Sequence, residues 1–510
     1  MKGNLMKSQR LFLSMLVLTL SGCAVGPDYH VPENHLTGSW HAGEKDQASH
    51  PLTTDTQVSW WKNFNDPQLN SLIQRATEGN LSLQQSVLRI SGAREQVSSA
   101  QGGLFPTLNG QASYSRQQLG LKGELQSQGL YDALPDDIAN HATGSVGFYQ
   151  GGFDASWELD LWGKTRRQVE LARASEQQQV EQHNDALVSL EAEVTRTYLQ
   201  LRAAQATEAS LSQQIAIAQQ SLELTQSQMR NGLAPSSDVE SATAQLSALQ
   251  AQLPQSQSQI SQAKNALAVL LGLTPGALDN ELSAAKSLPT LPQLVAVGIP
   301  SQLTRRRPDI RAAEANLHAQ TANIGVSIAQ LFPSLSLTGQ LGVRNSDISY
   351  MDNWSSHFYS IGPGINLPIF EGGRLVANVK LARAQQAAAA LNYRQTVLTA
   401  LQEVENALVS YRTGQQQDTA IKQSRNALER AFQLASENYK KGFITYITVL
   451  DAQRQLAQTE QQAIQAQAQT AVDLVTLYKA LGGGWEQQSR VTLPHYTVFG
   501  DVDKTAVTSP

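Results

Sequence analysis

No glycine or proline occurs between Lys164 and Asn231. Ala, Gln, Glu, Leu and Arg dominate that stretch, and all are good helix formers, so it predicts one uninterrupted helix. At 1.5 Å per residue, about 67 residues make a rod of about 100 Å. Such a rod cannot fold around a single globular core and must lie along other helices. A heptad seam of Leu187, Val194, Leu201, Ile215, Leu222 and Met229, with Leu190, Ala204, Leu211 and Ala218 between, provides the contact stripe. The partner is encoded in the same chain. Gly163 to Gly272 matches Gly373 to Gly482 at a constant offset of 210 residues. Leu171-Ala172-Arg173-Ala174 recurs as Leu381-Ala382-Arg383-Ala384, Asn231-Gly232 as Lys441-Gly442, Val239 as Val449, and Gln245-Leu246 as Gln455-Leu456. An ungapped match over about 110 residues is the mark of tandem duplication. In the second copy, Arg374 to Lys441, only Gly414 interrupts the helical composition. The breaks at 232–237 and 442–445 then become hairpin tips, each followed by a return helix. Pro254 is expected to kink or break the first of these.

Upstream, Leu104-Phe105-Pro106-Thr107-Leu108 recurs as Leu331-Phe332-Pro333-Ser334-Leu335, now at an offset of 227. The extra residues of the first copy fall around Gly120–Asn140 and predict a longer loop. Between the helical blocks the pattern changes to strict alternation. Phe153, Ala155, Trp157, Leu159 and Leu161 share one parity, as do Leu335, Leu337, Gly339 and Leu341, and Tyr359, Ile361, Ile365, Leu367 and Ile369; Thr107–Gln117 alternates more weakly. Two-faced strands of about ten residues have the length and pattern of barrel-spanning strands. They also suit a water-soluble sheet packed against helices. Four strands cannot close a membrane barrel, which needs about eight, so a membrane reading requires several copies. Two chains supply eight strands and three supply twelve, and the sequence does not choose between them.

Lys2, Lys7 and Arg10 precede an apolar run from Leu11 to Leu20, followed by Ser21-Gly22-Cys23. The run is too short to span a bilayer and has the anatomy of a secretory leader covering 1–22. A cysteine directly after Ser-Gly resembles the lipobox of bacterial lipoproteins, which makes Cys23 an acylated mature N-terminus; the alternative is an ordinary leader with a chance cysteine. Ala24, rather than aspartate, in the next position favours sorting to the outer membrane by the same resemblance. Residues 23–57, rich in Pro, Ser, Thr and His, are expected to form an extended tether. The chain of 510 residues has a net charge of −5, so it carries no basic footprint for nucleic acid. Its one cysteine excludes internal disulfides and multi-cysteine metal sites. Nine histidines are scattered, with neither a His-x-x-x-His pair nor a nucleophile elbow. Acidic pairs such as Glu191/Glu193 fall in helices, where a solvated face is the plain reading. No enzyme, metal or cofactor is expected beyond lipid on Cys23.

Several separated motifs share one order: the lipobox, Trp60-Trp61 with Asp66-Pro67-Gln68-Leu69, Phe105-Pro106, Arg306-Arg307-Pro308-Asp309-Ile310, Leu450-Asp451-Ala452-Gln453-Arg454 and Leu481-Gly482-Gly483-Gly484-Trp485. With the duplication, they make the mature chain resemble the outer-membrane factors of Gram-negative tripartite efflux systems, the TolC/OprM-like group. Within it the likeness is to the lipoprotein branch serving proton-driven resistance-nodulation-division pumps. That resemblance implies a fold that is mainly α with a membrane β-barrel. Three copies form a 12-stranded outer-membrane barrel continued by a 12-helix periplasmic α-barrel. The first repeat would span 58–290, with a β-hairpin at 107–161 and a helical hairpin at 164–272. The second would span 291–484, with a helix at 308–331, a β-hairpin at 334–369 and a helical hairpin at 374–482. The tail, 485–510, would join an equatorial region.

The same resemblance assigns sites. Asp451 matches an aspartate facing the tunnel near its periplasmic end, where three copies form an acidic ring that attracts cations. Ile447, one turn earlier, matches an apolar constriction residue that is usually leucine. Tyr439 matches a tyrosine that helps hold the hairpins shut. The preceding position, commonly arginine, is Asn438 here, which leaves Lys440 or Lys441 as substitutes in the gate. The tips Gly232-Leu233 and Gly442-Phe443 match the docking points of a periplasmic adaptor. Arg306, Arg307, Pro308 and Asp309 form a family motif, read physically as a helix start with Pro in the first turn and Asp on the dipole. The implied partners are two further copies, the adaptor, an inner-membrane pump and outer-membrane lipid. The implied function is passive export of drugs or other small toxic compounds. Two other readings stay open from residues alone: an outlet for protein secretion through an ABC exporter, and a non-conducting periplasmic scaffold. The alternation over 153–161 speaks against the scaffold, and the lipobox and Arg-Arg-Pro-Asp point away from secretion.

Overall fold

A computed structural model of the chain describes residues 24–33, 38–42, 58–118, 121–133, 135, 145–289, 291–292, 295, 297–488 and 493–494. Cys23 and the leader lie outside the described residues, as does most of the tail. The order of elements is α1 (Pro67–Gly79), α2 (Leu81–Gly102), β1 (Thr107–Gln118), α3 (Leu121–Ser127), β2 (Ser145–Leu159), α4 (Lys164–Arg230), α5 (Ser236–Gln250), α6 (Leu253–Leu270), α7 (Leu303–Arg306), α8 (Pro308–Ala329), β3 (Ser334–Asn345), β4 (His357–Asn366), α9 (Arg374–Lys440) and α10 (Tyr446–Ala480).

The duplication is reproduced element by element. The offset of 227 carries α2 onto α8 and β1 onto β3 with the same bounds, and the offset of 210 carries α4 onto α9. The return arms differ. Residues 236–270 are broken between Gln250 and Leu253, with Pro254 in the first turn of α6, whereas α10 is continuous. Proline at that point lacks the N–H the helix needs and clashes with the preceding turn. Gly414 does not interrupt α9. A Cβ there would come within 2.9 Å of Thr470 Oγ1, so the bare backbone lets α10 approach closely. The longer loop of the first copy contains the short helix α3, where the composition predicted only loop.

The chain divides into two compact units whose boundaries fall after His30 and inside α2, α4, α8 and α9. The first holds the sheet, in the order β1-β2-β3-β4, all antiparallel. The register pairs Thr107 with Ser156, Leu335 with Leu159 and Ser334 with Asn366. All four strand ends that connect to long helices therefore lie at one end of the sheet, and the loops 119–144 and 346–356 at the other. Residues 24–30, part of the expected extended tether, are docked in this unit. Val25 N donates to Trp162 O, Asp28 pairs with Arg167 at 2.6 Å, and Tyr29 stacks on His318 at 4.3 Å.

The second unit contains the main hydrophobic core, built from Trp60, Phe64, Leu69, Leu72 and Ile73 of the N-terminal segment, Leu187, Val194, Tyr198 and Leu201 of α4, Val397 and Val404 of α9, and Leu474 and Leu477 of α10. The predicted heptad seam of α4 is buried from Leu187 to Ala218 except at Ile215, which is half-buried. It opens at Met229, which is exposed near the tip. Trp40 is buried here and donates from Nε1 to Gly298 O, while Glu405 accepts from the backbone N–H groups of His41 and Ala42 at 2.7 and 2.8 Å. A second piece of the expected tether is thus anchored by an aromatic plug. Glu191, expected on a solvated face, is instead almost fully buried.

Candidate functional site

The sheet sorts its side chains by chemistry. Cross-strand register places Leu108, Ala112, Tyr114, Tyr149, Phe153, Trp157, Leu335, Leu337, Leu341, Tyr359, Ile361 and Ile365 on one face. Asn109, Gln111, Ser113, Gln150, Asp154, Glu158, Ser336, Thr338, Gln340 and Ser360 fall on the other. The apolar face is exposed, with Leu108, Phe153, Leu341, Tyr359 and Ile365 all open to the surroundings. In water such a face would be a liability; in a bilayer it is the lipid surface. Aromatic rings flank it. Tyr114 and Tyr149 lie 4.7 Å apart toward the loop end, and Trp162 stacks on Phe332 at 4.8 Å at the helix end. Trp157 and Trp162 spend their indole N–H on the carbonyls of Leu104 and Pro333. Among the described residues, no strand pairs with the outer edge of β1 or of β4.

The two hairpin tips are built alike. α4 ends with Gly232 N donating to Met229 O and Leu233 N to Gln228 O; α9 ends with Gly442 N donating to Tyr439 O and Phe443 N to Asn438 O. Both glycines adopt left-handed φ, 70° and 76°, which closes the last carbonyls of each helix. The next residue is thrown outward: Leu233 is 77% and Phe443 75% exposed.

The sequence-assigned gate residues are split between two surfaces. Tyr439 is buried against Tyr446 (5.6 Å), in a cluster with Val449, Leu450 and Ala242 that joins the two hairpins. Burial raises the phenol pKa of both tyrosines above the ordinary value. Ile447 (62% exposed) and Asp451 lie one turn apart on the opposite, open stripe of α10, where Gln455 donates to Asp451 at 2.7 Å. Asn438 and Lys440 are exposed at the end of α9. Among the described residues, no ion pair joins them or Lys441 to Asp451.

The Arg-Arg-Pro-Asp segment is a fastening point. Arg307 clasps both oxygens of Asp309 at 3.0 and 2.7 Å, reaches Glu403 at 2.7 Å and donates to the carbonyl of Ala480 at 3.0 Å. Asp309 also accepts from the N–H of Ile310, and Pro308 opens α8. Asn80, the residue equivalent to Arg307 under the 227 offset, donates to the carbonyl of Leu270, the equivalent of Ala480. Arg306 offers its carbonyl to Trp485 Nε1 and lies 3.8 Å from Glu486. Asp66 caps α1 through the N–H groups of Gln68 and Leu69 and accepts a bond from Tyr198 Oη.

Sequence reasoning missed the Asn80–Arg307 equivalence, although the two offsets together contain it. It also missed the buried guanidinium of Arg202, held by Gln205, Ala284 O and Gln68, for which an α4 surrounded by polar residues gives no signal. No helix among the described residues is long and apolar enough to cross a membrane, so spanning structure in this chain is a matter for the sheet. No group of His, Cys, Asp and Glu among them is arranged to hold a metal.

A sheet with one lipid-compatible face, continued by long helical hairpins, defines an outer-membrane channel. The structure matches the outer-membrane channel OprN with a TM-score of 0.81 and 33% identity, covering 91% of this chain and all of that one. The sequence is 32% identical over 475 residues to the outer membrane protein OprJ of Pseudomonas aeruginosa, covering 93% of this chain and 95% of that protein. It is equally similar, 32% over 481 residues, to the solvent efflux pump outer membrane protein SrpC of Pseudomonas putida, covering 92% and 97%. The outer membrane efflux protein family matches residues 72–273 and 299–483, and the chain belongs to that family. It is an outer-membrane exit duct of efflux systems, of a family of channels rather than enzymes.

Proposed function

We propose that three copies of this chain close into one conduit and that it carries small toxic compounds outward from an inner-membrane, proton-driven pump through a periplasmic adaptor. The observation that carries this reading is the four-stranded sheet with two open edges and opposite faces of opposite chemistry. Three such sheets pair edge to edge into twelve strands, which removes every free edge and puts the polar face on the lumen. Relatives named for solvent, toluene and antibiotic efflux support the substrate class. The chain itself needs no cofactor beyond acyl chains on Cys23. Leu233 and Phe443, held outward by their tip glycines, are the adaptor contacts. Asp451 and Ile447, on the open stripe of α10, form the constriction, and Tyr439 stabilises the closed hairpin pair from behind.

Crosslinking in intact cells followed by mass spectrometry tests the assembly. Recovery of an adaptor with a proton-driven pump is the expected result, and recovery of an ABC transporter would replace efflux with protein secretion. In planar bilayers the trimer is expected to conduct, which a scaffold would not. Asp451→Ala should raise basal conductance or weaken cation block, and unchanged values for both would remove Asp451 from the gate. Cys23→Ser should abolish acylation yet leave the protein membrane-bound through its barrel; complete release from the membrane would count against the barrel.

A further inference from the structure

We propose that the β3–β4 loop, residues 346–356, is a lipid-anchoring platform that lies against the outside of the barrel and inserts Ile348, Tyr350 and Trp354 into the outer leaflet. This inference rests on the channel reading above. The loop lies at the end of the sheet remote from the helices, which is the extracellular end once the helices are periplasmic. Ile348 and Met351 line one shallow hollow with Ala112, Ser113, Tyr114, Tyr149, Gln150 and Gly151. Of these, Ala112, Tyr114, Tyr149 and Gly151 belong to the apolar face, as does His357, on whose ring Trp354 stacks, so the loop folds down over the lipid side of β1 and β2 and not across the lumen.

The loop is also braced from within. Asp347 accepts from the N–H and hydroxyl of Ser349, Asn345 Nδ2 donates to Ser356 Oγ at 2.7 Å, and Ser356 Oγ donates to Tyr350 O at 2.7 Å. His357 Nδ1 contacts Asn353 O, and its ring stacks on Trp354. These bonds fix the turn while Trp354 is left 85% exposed. A rigid loop that holds large apolar groups outward, continuous with a lipid-facing surface, suits the acyl–headgroup boundary, where amphipathic rings are stable. Residues 346–356 contain no Lys or Arg, so the contact is apolar insertion and not recognition of lipid phosphate. The consequence is a channel mouth left clear on this side.

The test places an environment-sensitive fluorophore, one site at a time, on Ile348→Cys, Trp354→Cys, Leu341→Cys and Gln128→Cys in the full-length protein, reconstituted in phospholipid vesicles. Brominated acyl chains probe lipid contact and aqueous iodide probes water. Leu341, on the apolar face of β3, reports on the barrel itself, and Gln128, in the other loop, reports on water. The expected result is loss of emission to brominated lipid at 341, 348 and 354, with iodide acting only at 128. Quenching by iodide at 348 and 354 while 341 answers to lipid would overturn the loop proposal and leave the barrel standing. So would insensitivity of 348 and 354 to both quenchers, which would mean contact with a neighbouring copy. A Leu341 reporter blind to brominated lipid would overturn both readings.

Discussion

Arg307→Ala should destabilise the protein by about 3 kcal/mol, because it removes one partner of a largely buried ion cluster. The guanidinium is 10% exposed and carries four obligations: both oxygens of Asp309, the Glu403 carboxylate and the Ala480 carbonyl. Its loss leaves two like-charged carboxylates close together beside Asp185, whose carboxyl burial and the nearby Asp309 charge already push above the usual range. Glu403 is half exposed and recovers water, which keeps the expected cost at the lower end for a buried pair. Arg307→Lys should not restore stability, since an ammonium cannot clasp Asp309 with two parallel bonds and still reach Ala480. The thermal unfolding midpoint in detergent, followed by helical circular dichroism, decides it. Midpoints unchanged in both variants would show that the cluster is not a fastening point.

Glu191→Gln is expected to stabilise the protein as pH rises. Both carboxyl oxygens of Glu191 and Nε1 of nearby Trp60 are buried without a hydrogen-bond partner among the described residues. Burial first, and the Glu486 charge second, raise the Glu191 pKa well above the ordinary 4.5. A raised folded-state pKa means the native state holds its proton while the unfolded chain loses it. Stability is therefore full below the ordinary glutamate pKa and falls as pH climbs toward the folded value, by at most about 1.4 kcal/mol per pH unit. Glutamine keeps the shape and cannot ionise, so the variant lacks that decline. Unfolding midpoints measured from pH 4 to 8 should agree at the acid end and separate above it in favour of Glu191→Gln. Parallel curves would show that Glu191 is ionised in the folded protein.

These two residues mark the boundary of what could be read from the chain. The start of α8 at Pro308 was legible because proline and aspartate act within one turn of themselves. The ion cluster around Arg307 was not, since Glu403 and Ala480 are brought to it by packing. Glu191 was misread for a related reason. On a helix with a narrow apolar seam, a charged residue predicts a solvated face, but α4 is contacted by the N-terminal segment as well as by its own hairpin, and Gly484 packs against the Glu191 carboxylate with Trp60 beside it.

The gate candidates divide in the same manner. Position along α10 follows from the 210 offset and the family pattern, and spacing alone puts Ile447 and Asp451 on one stripe. That Tyr439 faces the opposite way, into the Tyr446 cluster, depends on which side of the hairpin meets its neighbour. Likewise the alternation of Phe153, Trp157, Leu337 and Ile361 fixed two-faced strands, while the pairing of β2 with β3, which unites the faces of the two repeats, is a tertiary fact.

The sequence by itself determined the repeats, the long helices, the break at Pro254, the tip glycines and the parity of the strands. All of these act over a few residues or recur at a fixed offset, so local propensity and periodicity express them. Only the tertiary structure decided that the 24–30 and 38–42 segments are docked, that Gly414 serves a close helix approach, that Glu191 is buried, and that the β3–β4 loop folds onto the apolar face. Each depends on groups far apart in the chain meeting at van der Waals distance, and such meetings are set by the packing of whole elements, which no local pattern encodes.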